Sequence, residues 1–138
     1  MIVLDTNVLS EGLRLQPSAS VLHWMQSEPL TALFTTTITE AELLYGAALL
    51  PDGRRRRALE GVIALLLGTR FVGRILPFDS AAAREFADIA SKRRLDGRPI
   101  GEADGRIAAI TRSRGASLAT RNVSDFAGCG LTVVDPWA

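Results

Sequence analysis

The chain has 138 residues, a net charge of +1 at pH 7, an apolar fraction of 47% and one cysteine. This describes one globular domain spanning residues 1–138, large enough to bury a core without staples. It excludes an internal disulfide and a transmembrane helix, since the longest apolar run, "VIALLL", is far too short to cross a bilayer. The first element is "MIVLDTNVLS". Met1 to Leu4 read as a short buried strand with no polar face, and Asp5, Thr6 and Asn7 suit the turn that should follow it. Asp5 is then either a turn residue or a carboxylate held at a strand end for chemistry. The start lacks the basic lead of a signal peptide, and the lone Cys129 fits a reducing compartment, so a cytoplasmic protein is expected.

"SVLHWM" reads as a packed helix segment containing His23, the only histidine. "ALFTTTIT" (32–39) is a second strand by its threonine and aromatic content. It gives way to a helix at "TEAELLYG", where Thr39 and Glu42 match the capping box Thr-x-x-Glu. "RRRR" at 54–57 reads as the solvated start of a helix whose apolar stripe is Leu59, Val62, Ile63, Leu66 and Leu67. All but one of the 16 cations are arginine, Lys92 being the exception, a bias that suits two-pronged phosphate contacts and also follows from base composition alone. "GRIL" (73–76) is a third strand. "DSAAAREFADIASKRR" is a helix with Asp79 and Ser80 as cap candidates and Gly97 past its end. "EADGRIAAITRSRG" is a further helix, ended by Gly115 and carrying Glu102 and Asp104 in its first turn. "SLAT" (117–120) and "LTVVD" (131–135) complete the strands, with Asn122 and Asp125 in the loop between them.

Short apolar strands alternating with helices predict a three-layer α/β/α sandwich with a mainly parallel sheet. In such sheets, sites form outside the carboxyl ends of the strands. Asp5, Glu42, Asp104 and the 122–125 loop all fall where a strand ends or a helix begins. Capping or dipole stabilisation explains each acid singly. Gathered at one edge they would repel one another, and a hard divalent cation such as Mg²⁺ or Mn²⁺, which prefers oxygen ligands, removes that repulsion. No cysteine cluster or second histidine offers a zinc site, a Ser-His-Asp triad would have to use the packed His23, and Walker A and GxGxxG motifs are absent.

"MIVLDTNVLS", "TITEAELLYG", "ADGRIAA", "LATRNVSDF" and the closing "VVDPWA", in this order and at this length, resemble the PIN-domain proteins. More narrowly they resemble VapC toxins of bacterial toxin–antitoxin pairs, including the FitB-like branch. The resemblance implies a Mg²⁺-dependent endoribonuclease, with Mn²⁺ substituting, on an α/β/α sandwich. It implies RNA as substrate, a VapB-like antitoxin as partner and a homodimer. It makes Asp5, Glu42 and Asp104 the acidic core, with Asp5 and Asp104 as direct metal ligands and Glu42 completing the shell or holding a water. Thr6 and Thr120 become hydroxyls that orient the carboxylates. Many members carry a fourth acid where this chain has Asn122. Asn122 in that position is the favoured reading, with Asp125 as the alternative. Two rivals remain at this point. A phospho-receiver domain needs a lysine beside its acids, and Lys92 lies in a helix pattern instead. An inactive PIN-like binding scaffold is the other, for which Asn122 gives some footing.

Overall fold

The computed structural model describes residues 1–138. Its centre is a five-stranded parallel sheet: β1 (Ile2–Leu4), β2 (Leu33–Thr36), β3 (Ile75–Leu76), β4 (Ser117–Ala119) and β5 (Val133–Val134), in the order β3-β2-β1-β4-β5. Six helices connect them: α1 (Thr6–Gly12), α2 (Ala19–Ser27), α3 (Thr37–Ala48), α4 (Arg54–Leu65), α5 (Ser80–Leu95) and α6 (Glu102–Ser113).

Alternation along the strands divides the core into two layers. Val3 and Leu118 point to one face, where they meet Ala82 and Ile89 of α5 and Ile107 to Ile110 of α6. Leu4, Leu33 and Ala119 point to the other, where they meet Val8, Val21, Leu43 and Ile63 of α1 to α4. The sheet is covered on both faces, so its strands are mainly apolar, as parallel sheets favour. This is the expected three-layer sandwich. No helix is long and apolar enough to cross a membrane.

The expected helix signals at the two ends of α5 and α6 operate as written. Asp79 caps α5 by accepting a hydrogen bond from the Ala82 amide at 3.0 Å. Gly97 and Gly115 follow the two helices at φ +74° and +63°, the left-handed region in which a side chain is disfavoured. "RRRR" forms the exposed first turn of α4, as read, with Arg56 paired to Glu60 one turn on.

Four local expectations are corrected. Asp5 does not close a turn: it caps α1, its Oδ1 accepting from the Val8 amide at 3.1 Å. The second strand ends at Thr36 rather than running to residue 39, because the Thr36 hydroxyl accepts from the Thr39 amide at 3.1 Å and so starts α3. The capping box therefore does not form: Thr36 is the cap, and Glu42 lies in the second turn with no capping role. His23 sits in α2 but on its exposed face, not packed inside.

Candidate active site

Because all five strands are parallel, their carboxyl ends share one edge. β1 delivers Asp5 there, and the Asp5 amide donates to the Ala119 carbonyl at 3.1 Å, continuing the β1–β4 ladder by one step. β4 delivers Thr120 beside it. Asp5 is 4% exposed, and that burial is the main reason its carboxyl is pushed above the usual range. Hydrogen bonds from the Thr120 side chain and the Val8 amide oppose the rise, while the Asp104 charge adds to it.

Asp104 comes to the same place from the first turn of α6. The close packing of α6 on α5 fixes that turn: a Cβ at Gly105 would lie 3.0 Å from the Phe86 ring and 3.3 Å from Ile100. Half-burial raises the Asp104 carboxyl, and the charges of Asp125 and then Glu42 raise it further. Asp125 lies on a 3₁₀ turn, Val123–Phe126, directly after Asn122. Asn122 is exposed, and its amide donates to the Thr120 hydroxyl oxygen at 3.1 Å.

Glu42 is held from α1. The Thr6 hydroxyl donates to Glu42 Oε1 at 2.7 Å and lies 3.1 Å from the Thr39 hydroxyl. Asp5, Glu42, Asp104 and Asp125 thus share one charged environment, with Thr6 and Thr120 each bonded to one of its carboxylates.

The donor set is oxygen only, which fits a hard divalent cation and not zinc. No three carboxylate, imidazole or thiolate groups converge into a closed cage. Mg²⁺ does not require one: it keeps several waters and is held by one or two carboxylates. Buried Asp5 and half-buried Asp104, whose charge raises the Asp5 carboxyl, are the pair that could hold such an ion.

One residue at the site escapes the sequence-level reading. Arg93, near the end of α5, is buried, and its guanidinium reaches into the Asp125 loop. Nε donates to the Arg98 carbonyl at 2.7 Å; Nη1 donates to the carbonyls of Asp125 at 2.8 Å and Ala127 at 2.9 Å and lies 3.5 Å from Cys129 Sγ. This one side chain joins the segment leading into α6 to the loop carrying Asp125. In "SKRR" it reads as one more solvated cation at a helix end. The available signal is spacing, since Ala82, Phe86, Ile89 and Arg93 fall on one helical stripe whose other members are apolar.

Comparison with known proteins places the chain in a family. The PIN domain family model matches residues 2–127. The chain is 40% identical to VapC ribonuclease Y4jK of Sinorhizobium fredii, over 99% of this chain and 98% of that protein. It is likewise 40% identical to toxin FitB of Neisseria gonorrhoeae, over 99% of each. Among solved structures, a chain in FitAB bound to an IR36 DNA fragment superposes with a TM-score of 0.94 at 39% identity, covering 100% of this chain and 96% of that one. A parallel sheet with acids gathered at its carboxyl edge and likeness along its whole length have a common origin: the chain belongs to the PIN-domain family, beside VapC ribonuclease Y4jK and toxin FitB.

Proposed function

We propose that the protein is a divalent-metal-dependent endoribonuclease, using Mg²⁺ or Mn²⁺, and the toxin of a toxin–antitoxin pair. The observation that carries this is the buried Asp5 facing Asp104 at a sheet edge, with Glu42 and Asp125 in the same electrostatic environment. A domain accepts such repulsion where a cation relieves it. The ribonuclease and toxin names of the two full-length relatives support the chemistry and the role. The protein acts, on this reading, on cytoplasmic RNA.

Asp5 and Asp104 would hold the ion, and a divalent cation there would lower the pKa of water and withdraw charge from a phosphate oxygen. Glu42 has Oε1 engaged by Thr6, which leaves Oε2 to orient the attacking water and take its proton. Water attacks phosphorus, the bond to the leaving oxygen breaks, and that oxygen is protonated. Hydrogen bonds from Thr120 and Val8 favour the ionised form of Asp5 and oppose the effect of its burial. Asp125, whose charge bears on Asp104 more than that of Glu42 does, supplies the fourth acid in place of Asn122.

The partner reading rests on the surface and on the relatives. Tyr45, Leu49, Val62 and Leu65 are each at least half exposed along α3 and α4 and at their ends, an apolar surface suited to protein contacts. Solved relatives include FitAB on DNA. A homodimer neutralised by a small VapB-like antitoxin fits both.

Single-stranded RNA should be cut in Mg²⁺ or Mn²⁺ and left intact in excess EDTA. Expression alone should arrest growth, and co-expression of the neighbouring antitoxin should restore it. Undiminished cutting in EDTA ends the metal mechanism. The fourth acid is tested by calorimetric Mn²⁺ titration. Asp125→Asn should weaken binding about tenfold, the lower end of the range for groups supporting a metal site. Asn122→Asp should change it by less than about threefold, and a large gain in that variant would instead assign the position to residue 122.

A further inference from the structure

Beside the acidic edge lies a small polar cavity of about 250 Å³, lined by Asn7, Ser10, Glu11, Arg14, Arg121 and Trp137. It shares residues with no step of the mechanism above, yet it adjoins the site through the chain itself. Asn7 follows Asp5 by two residues, and Arg121 follows Thr120, which bonds Asp5. We propose that Arg121, stacked on Trp137, forms with Arg14 a subsite for a phosphate of the RNA strand next to the bond being cut. The inference rests on the ribonuclease reading and adds to it where the substrate is gripped.

Four features point to an anion. First, Arg121 is held without being neutralised. Its guanidinium carbon lies 5.1 Å from the centroid of the Trp137 ring. None of the ion pairs in the structure includes it, and no protein acceptor takes its hydrogen bonds. A guanidinium with its donors free and its rotamer already restricted is well prepared for a planar, two-pronged phosphate contact.

Second, the platform under it is rigid. The Trp137 amide donates to Asp135 Oδ1 at 2.9 Å and the Ala138 amide to the Asp135 carbonyl at 3.2 Å, forming a turn through Pro136. The indole packs against the α1–α4 side of the core.

Third, Arg14 is oriented from below. Glu11 is buried, and it accepts from Arg14 Nη1 at 3.3 Å and from the Ser18 amide at 3.3 Å. One arm of Arg14 is therefore engaged, while two-thirds of the side chain remains exposed to the cavity and solvent. Two arginines face one carboxylate that already has two donors, so the cavity favours a negative guest.

Fourth, the acidic edge needs such a neighbour. Four carboxylates repel a polyanion, and a cation held by Asp5 and Asp104 would offset that repulsion only locally. Cations beside the acidic edge offset the repulsion along the rest of the strand. The cavity lies near the lower end of small-ligand sites in size, enough for one sugar-phosphate unit.

The test uses a fluorescein-labelled ten-nucleotide single-stranded RNA, measured by anisotropy in EDTA so that nothing is cut. Against wild type, Arg121→Ala should raise Kd about tenfold and lower the slope of log K against log salt by about 0.7, the value for one phosphate contact on a single strand. Arg121→Lys keeps the charge without the stack and should fall between the two. Mn²⁺ affinity by calorimetry and Tm should stay at wild-type values, because Arg121 is exposed and touches no metal ligand. In the cleavage assay KM should rise with kcat nearly unchanged.

An Arg121→Ala protein that cuts RNA with wild-type KM and keeps the wild-type salt slope overturns the subsite and leaves the ribonuclease reading standing. A wild-type protein that neither binds nor cuts RNA overturns the ribonuclease reading itself. If Arg121→Ala binds RNA normally but loses affinity for the antitoxin, the cavity receives an acidic side chain of that partner, and the RNA subsite is wrong.

Discussion

Asp5→Asn should reduce RNA cleavage by at least about a hundredfold, the upper end of what residues supporting a metal site cost, and should make the metal-free protein more stable at neutral pH. The two effects have one cause. Asp5 Oδ1 caps α1 through the Val8 amide, and Asn is as good a cap as Asp, so the helix start survives. What disappears is a carboxylate whose pKa in the fold is raised above the ordinary 3.8, first by burial and then by Asp104. The folded state keeps its proton at pH values where the unfolded chain has lost it. Stability from this group is therefore complete below 3.8, declines as pH climbs towards the folded value and is lost above it. The substitution removes that decline. Thermal melting from just above pH 3.8 to neutrality, in EDTA, should show a flatter profile in the variant. Mn²⁺ should then raise Tm strongly in wild type and weakly in Asp5→Asn, since only a bound ion stabilises. A variant that cuts RNA normally, or melts below wild type without metal, would show that Asp5 is structural.

Arg93→Ala should cost about 3 kcal/mol of stability, the scale for leaving buried partners of a charged group unsatisfied. For a domain of this size that is roughly a 10 °C fall in Tm. The guanidinium satisfies the carbonyls of Arg98, Asp125 and Ala127 in a buried setting, and alanine leaves all three without it. Arg93→Lys should recover only part of the loss, because a single ammonium cannot reach acceptors on both segments. Mn²⁺ affinity should fall in both variants, since the loop carrying Asp125 is no longer tied to the segment before α6. Melting in EDTA and calorimetry measure the two effects separately. A Tm within about 2 °C of wild type in Arg93→Ala would mean that water replaces the side chain at small cost.

The fold was legible wherever a pattern repeats. The apolar strands, the helix stops at Gly97 and Gly115 and the placing of Asp5 and Asp104 at element ends all follow from periodicity and punctuation. Harder to read was any residue with two adequate local roles. Thr36 and Thr39 both cap well, and the choice between them depends on where β2 stops pairing with β3, a tertiary matter. α1, with seven residues and little helix propensity in Thr-Asn-Val, is held by the Asp5 cap and by packing of Val8 and Leu9 rather than by its own sequence. Asn122 has the spacing of the family pattern, whereas Asp125 gains its influence on Asp104 from the 3₁₀ turn that follows, which spacing does not encode. Arg93 was hidden by composition: between Lys92 and Arg94 it reads as surface, and only the apolar residues on its stripe distinguish it.

The position of β1 has a consequence for the order in which the acidic edge assembles. β1 precedes the other four strands of the sheet in the chain, and it pairs on one side with Leu33 and Phe34 and on the other with Ser117 to Ala119. The second pairing spans most of the chain, so it closes a long loop and forms late. Until residue 117 has been synthesised, β1 has an open edge, Asp5 lacks the Ala119 carbonyl that extends its ladder, and Thr120 is absent. A nascent chain on the ribosome, surrounded by RNA, therefore carries its acids unassembled. The acidic edge comes together only once residues 117–120 have been made, and a fragment that stops before them lacks both the strand that extends the Asp5 ladder and the Thr120 side chain that bonds Asp5.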